Sequence, residues 1–196
     1  MCREFVKKIR EEEKNIGNMP ERANDVLKYF HIKDISSGVP IIEILTKLGF
    51  KIYQSDLSAD GLSAYIAVDP KLKNIFGSNK ITCVHSEDNI GHKRFALAHE
   101  LAHYLFDFNE DENLYYYDTY SIKEKNDKIE EKRANIFAAN LLMPKEAFIE
   151  KFKEYKSLRS KADIVNALEQ YFLVSSTSVL KRLRELDING YNNYME

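Results

Sequence analysis

Residues 94–106, RFALAHELAHYLF, place two histidines and a glutamate inside a run that is otherwise almost wholly apolar. A helix carrying such a run is apolar on most sides and must be buried, and burial rejects polar side chains that nothing satisfies. His99 and His103 are four residues apart, so on a helix they share one face, one turn apart. Two imidazoles so placed reach a single metal ion, the H-E-x-x-H spacing of zinc hydrolases. Glu100 lies about 100° around the helix from His99. In that pattern it does not ligate the metal but serves as general base toward the water the metal activates. Zinc lowers the pKa of such a water to about 7. Without a partner, an ionised and buried Glu100 would cost several kcal/mol.

A third protein ligand is needed if one zinc position is to stay open for water. The extended H-E-x-x-H-x-x-G-x-x-H pattern fails, with Phe106 at the glycine position and Asn109 at the last histidine. His31, His85 and His92 show no ligand spacing and read as surface or capping histidines. A carboxylate from the downstream stretch IEEKRANIFAANLLMP remains. Glu131 shares a helix face with Asn135, Ala138 and Leu142, while Glu130 shares one with Ala134, Phe137 and Leu141. Asn135, one turn after Glu131, can accept a hydrogen bond from a ligand imidazole and fix its orientation, which makes that pair chemically coherent. Two acidic residues at a helix start also serve the helix dipole, so periodicity leaves both glutamates open.

The surroundings predict an α+β chain, mostly helical. Residues 3–15 and 20–32 read as charged or amphipathic helices broken at NIGNMP, where Pro20 suits a first helical turn. DISSGVP is a turn cluster, and the apolar residues after it suit a helix ending near Gly49. FKIYQSD, LSAYIAVDP and KITCVHS are short, β-rich and bounded by turn residues, and a three-stranded antiparallel sheet is the economical arrangement. Residues 107–127 are acidic and aromatic and read as a loop or irregular crossing; residues 128–144 form a helix ended by the Met143–Pro144 step. Further helices are expected over 145–156 and 160–171, and the stretch LVSSTSVLKRLREL (173–186) after them reads as a VSS turn leading into a last helix.

RFALAHELAHYLF followed by EKRANIFAANLLMP resembles the ImmA/IrrE family of bacterial zinc metallopeptidases, which shows R-F-x-x-A-H-E-x-x-H and then E-x-x-A-N/D-x-F-A-x-x-L-L-M-P. The resemblance implies a zincin-like metallopeptidase domain over residues 39–145. Position by position it makes His99, His103 and Glu131 the ligands of one zinc ion per chain and Glu100 the catalytic residue. Residues 1–38 match nothing in the family pattern and form a helical segment of open role. The implied chemistry is peptide-bond hydrolysis by a metal-activated water. Tyr104, Arg94 and the tyrosines of YYYDTY are candidate oxyanion donors, though packing or surface roles suit them better. Family members often stand beside a helix-turn-helix repressor that some cleave in a stress response or to induce a mobile element, and others form half of a toxin–antitoxin pair. A regulatory protein of that kind is therefore the implied substrate or partner. A metal-containing toxin or antitoxin that binds its partner without proteolysis is the alternative.

The tail, residues 146–196, has a helix-turn-helix cadence around VSS, with Lys181, Arg182 and Arg184 on its second helix. A DNA-reading helix wants basic and amide side chains near its N-terminal end, which here is STSVL, so packing or partner docking is favoured over a DNA-binding regulator. A net charge of −2 provides no basic field for nucleic acid. No run reaches the roughly 18 apolar residues of a membrane span. The charged start MCREFVKKIREEEKN and the two separate cysteines point to a cytoplasmic protein with reduced thiols.

Overall fold

The computed structural model describes residues 2–108, 129–158 and 160–188. Its central element is α5 (Ile90–Phe106), the helix that carries the histidines. Asn89 caps it by accepting the His92 N–H on Oδ1 at 2.9 Å. Leu97, Ala98, Leu101, Ala102 and Leu105 are fully buried, as a run apolar on most sides requires.

Against α5 pack α1 (Cys2–Glu11), α3 (Ile41–Lys47) and α6 (Ile129–Leu142), and α2 (Met19–Tyr29) packs on α6. Pro20 falls in the first turn of α2, where its missing N–H leaves no intrahelical bond unmade. Alanines on both sides, Ala98 and Ala102 on α5 with Ala134 and Ala138 on α6, are all at most 1% exposed and let the two backbones approach closely. The two helices run antiparallel, since His103 meets Glu131 while His99, one turn earlier, reaches Asn135, one turn later.

Strands β1 (Lys51–Ser55), β2 (Ala64–Val68) and β3 (Lys80–His85) form one sheet in the order β1-β3-β2. The sheet is mixed, which corrects the expected antiparallel arrangement. β2 pairs antiparallel with β3, in register Ala64↔Val84 to Val68↔Lys80, whereas β1 runs parallel to it, Lys51↔Ile81 to Ser55↔His85. The physical reason lies in the strand compositions. β3 buries Ile81, Thr82, Cys83 and Val84 in succession and so takes the centre, while the largely exposed β1 is left at an edge. The short helix α4 (Leu72–Phe76) sits in the β2–β3 connection, covering Ala67 and Ile81 on the sheet face turned away from α5.

The C-terminal helices are α7 (Lys145–Tyr155), α8 (Lys161–Phe172) and α9 (Ser176–Glu185). Ser160 and Ser175 cap the last two by accepting the Asp163 and Ser178 N–H groups. One hydrophobic core takes in Val6 of α1, the α5–α6 pair and Leu183 of α9, so the N-terminal segment and the tail both pack into the same interior. The turn into α9 presses on the start of α5. A Cβ at Gly91 would meet the Ser175 nitrogen at 2.5 Å and the Val174 carbonyl carbon at 2.6 Å, an approach that only glycine permits. No helix among the described residues is long and apolar enough to cross a membrane. Cys2 and Cys83 are free thiols, and burial pushes the Cys83 thiol up.

Candidate metal centre

The i, i+4 spacing on α5 brings the imidazoles together as the sequence predicts, with Nε2 of His99 2.9 Å from Nε2 of His103. The first turn of α6 adds Glu131, whose Oε2 is 3.2 Å from His99 Nε2 and whose Oε1 is 3.4 Å from His103 Nε2. The side chain of Glu130, one residue earlier, is exposed. Periodicity had left these two glutamates level; the fold brings Glu131 to the histidines.

The far sides of both rings are fixed. His99 Nδ1–H donates to Asn135 Oδ1 at 3.2 Å, and His103 Nδ1–H donates to Asp107 Oδ2 at 2.7 Å. With the Nδ1 atoms committed as donors, both Nε2 lone pairs point at each other and at a carboxylate. Such a set of acceptors repels itself unless a cation joins it. Tetrahedral zinc with nitrogen ligands at about 2.0–2.1 Å sets ligand atoms about 3.3 Å apart, the scale of these three separations. His99, His103 and Glu131 together could hold a metal ion.

Without a metal, the same demand falls on a proton. Burial works against a charged His103, but its bonds to Asp107 and Glu131 and the nearby negative charge of Glu100 push its pKa up to about 10. Burial likewise works to raise Glu131, yet hydrogen bonds from His103 and His99 and their positive charge hold it far below the usual carboxylate range. Glu100 is 5% exposed, on the neighbouring face of α5.

Two residues of this centre escape motif reading. Asp107 follows α5 directly, four residues after His103, so helical spacing alone could have singled it out from the acidic stretch it begins. Arg133 on α6 pairs with Asp107 Oδ1, and its Nη1 donates to the Lys14 carbonyl at 3.1 Å. No sequence signal points to Arg133, because its two partners, Asp107 and the Lys14 carbonyl, come from distant parts of the chain. That segment also satisfies the last carbonyls of α5: Arg10 Nη2 donates to Tyr104 O at 2.7 Å and Lys14 Nζ to Phe106 O at 3.0 Å. Residues 10–14 therefore brace the end of α5 that carries His103 and Asp107.

The other candidates have structural work. Arg94 donates to the Leu173 and Val39 carbonyls, and the buried Tyr104 takes a hydrogen bond from Lys80 on its hydroxyl. His85 Nδ1 accepts the Leu57 N–H, and His92 lies beside Asp88 on the exposed start of α5. YYYDTY lies outside the described residues. In the tail, Arg182 is 1% exposed, donating to Met143 O and Asn140 Oδ1 and pairing with Glu185.

A family model described as the IrrE N-terminal-like domain, a peptidase family, matches residues 45–184. That span runs from α3 through both metal-facing helices into α9. Among curated proteins, none matches this sequence.

Proposed function

The chain belongs to the IrrE N-terminal-like peptidase family, and from that premise we propose that it is a zinc-dependent endopeptidase acting on a regulatory protein, such as a helix-turn-helix repressor. The observation that carries this reading is the convergence of two imidazole Nε2 atoms and one carboxylate within 3.4 Å, their outer nitrogens already engaged. His99, His103 and Glu131 would hold one zinc ion, which supplies an activated water and polarises the scissile carbonyl. Glu100 takes a proton from the attacking water and delivers it to the leaving nitrogen, so that peptide cleavage releases a neutral amine. Asn135 and Asp107 hold the two imidazoles in the tautomer that leaves Nε2 free. Arg133 holds Asp107 in place.

The premise is tested by zinc content and by proteolysis. Purified protein should carry about one zinc per chain, and co-expression with a helix-turn-helix repressor that it recognises should yield discrete repressor fragments. Protein that is zinc-free as isolated and does not take up zinc would sink the reading.

Two further results are expected at this centre. Metal and proton compete for His103, whose metal-free pKa is about 10. Below that value zinc must displace a proton, so apparent affinity should fall about tenfold for each unit the pH drops, with about one proton released per zinc bound near neutrality. Titration in weakly buffered dye solution measures that proton directly; zinc binding without proton release contradicts it. Asp107→Asn should weaken zinc binding by about 10–100-fold through loss of the charged partner of His103, measured by competition with a chelating dye. Unchanged affinity would mean that Asp107 is only a helix cap.

A further inference from the structure

Beside the metal centre, reached through Asn135 on the outer side of His99, a groove of about 690 Å³ follows the α5–α6 seam toward the start of α9. Its course is set by helical repeat. Phe95 and His92 stand one and two turns before His99 on the same face of α5. Asn135 and Ala139 stand one and two turns after Glu131 along α6, and Met143 lies just past its end. Asn135 belongs to both sites, since it touches His99 and lines the groove. The third wall is α9, held against α5 by the contact at Gly91 and presenting Thr177 and Lys181.

The lining has a definite chemistry. Phe95, Ile136 and Ala139 are partly exposed, and Met143 lies buried beneath them, an apolar floor open on one side. Among the charged lining groups, Arg182 is paired with Glu185 and His92 with Asp88. Lys181 is exposed and has no acidic partner among the described residues. We infer that this groove is the specificity site of the peptidase, taking a substrate segment with a bulky apolar residue on the floor and an adjacent Asp or Glu against Lys181. The inference rests on the peptidase reading of the metal centre. At about 5.4 Å per helical turn and about 3.3 Å per extended residue, the groove lies roughly two to five residues from the scissile bond.

The test uses zinc-loaded full chain and a synthetic library of 12-residue peptides randomised at six central positions. Wild type is read by cleavage, and Glu100→Gln by capture of uncut peptide. Cut and captured peptides should be enriched at least fivefold in an apolar residue next to Asp or Glu, on one side of the cleavage point. Lys181→Glu, a change at an exposed position, should exchange that acidic preference for Lys or Arg. Ala139→Phe, which fills the floor, should lower kcat/KM for the favoured peptides by about tenfold or more at unchanged zinc content. Cleavage whose sequence preference neither variant alters overturns the groove while leaving the peptidase reading standing. Capture that depends on Lys181, with no cleavage by wild type, keeps the groove as a peptide site and overturns the peptidase reading. Neither cleavage nor capture overturns both.

Discussion

Glu100→Gln should keep its zinc and lose its proteolysis. The substitution preserves volume at a position that is 5% exposed, and it removes the carboxylate charge and with it the ability to accept and return a proton. General base catalysis by a positioned side chain contributes about 10²–10⁴-fold, or roughly 3–5 kcal/mol of barrier, and cleavage should fall by that factor. Stability should not fall with it. A buried carboxylate carries a desolvation cost that a neutral amide avoids, so the variant should melt at the wild-type temperature or above. Zinc content, melting temperature and repressor cleavage measured together make the test. A variant that retains zinc and still cuts at wild-type rate removes Glu100 from the chemistry. A variant without proteolysis that retains full biological activity would instead favour a module that acts by holding its partner.

Much of the frame around this site was legible because helical periodicity reports burial. The run from Arg94 to Phe106 predicted an interior helix, and α5 is one; the Met143–Pro144 step predicted where the next helix ends, and α6 stops just before it, at Leu142. Strand periodicity is a weaker guide. Alternation says which face of a strand is buried, not which strand lies beside it, so the parallel pairing of β1 with β3 was invisible until the chain crossed over. The tail exposes a different limit. Lys181 and Arg182 are adjacent cations in the sequence, yet one faces solvent while the other is buried among carbonyls and Asn140. Residue type gives charge; only the fold decides whether that charge meets a partner inside. Arg133 is the same case at the metal centre, since the chain that braces it is 119 residues away.

The two glutamates at the start of α6 give the sharpest division between what spacing and fold each decide. Glu131→Gln should reduce bound zinc from about one per chain to less than about 0.1 after dialysis, because an amide oxygen is a neutral and weaker ligand. It also removes the charge that the two imidazoles face at 3.2 and 3.4 Å. A ligand present at about a thousand times its Kd stabilises the fold by about 4 kcal/mol. Its loss should lower the melting temperature by roughly 8–16 °C in a chain of this size. Glu130→Gln alters an exposed side chain in the same helical turn, with the same change of charge and the same effect on the helix dipole. It should leave zinc content and cleavage unchanged and move the melting point by no more than about 2 °C. The pair therefore separates metal ligation from any general effect of acidic residues at a helix start. Equal losses in both variants would assign their effect to the dipole, and retention of zinc by Glu131→Gln would require another third ligand.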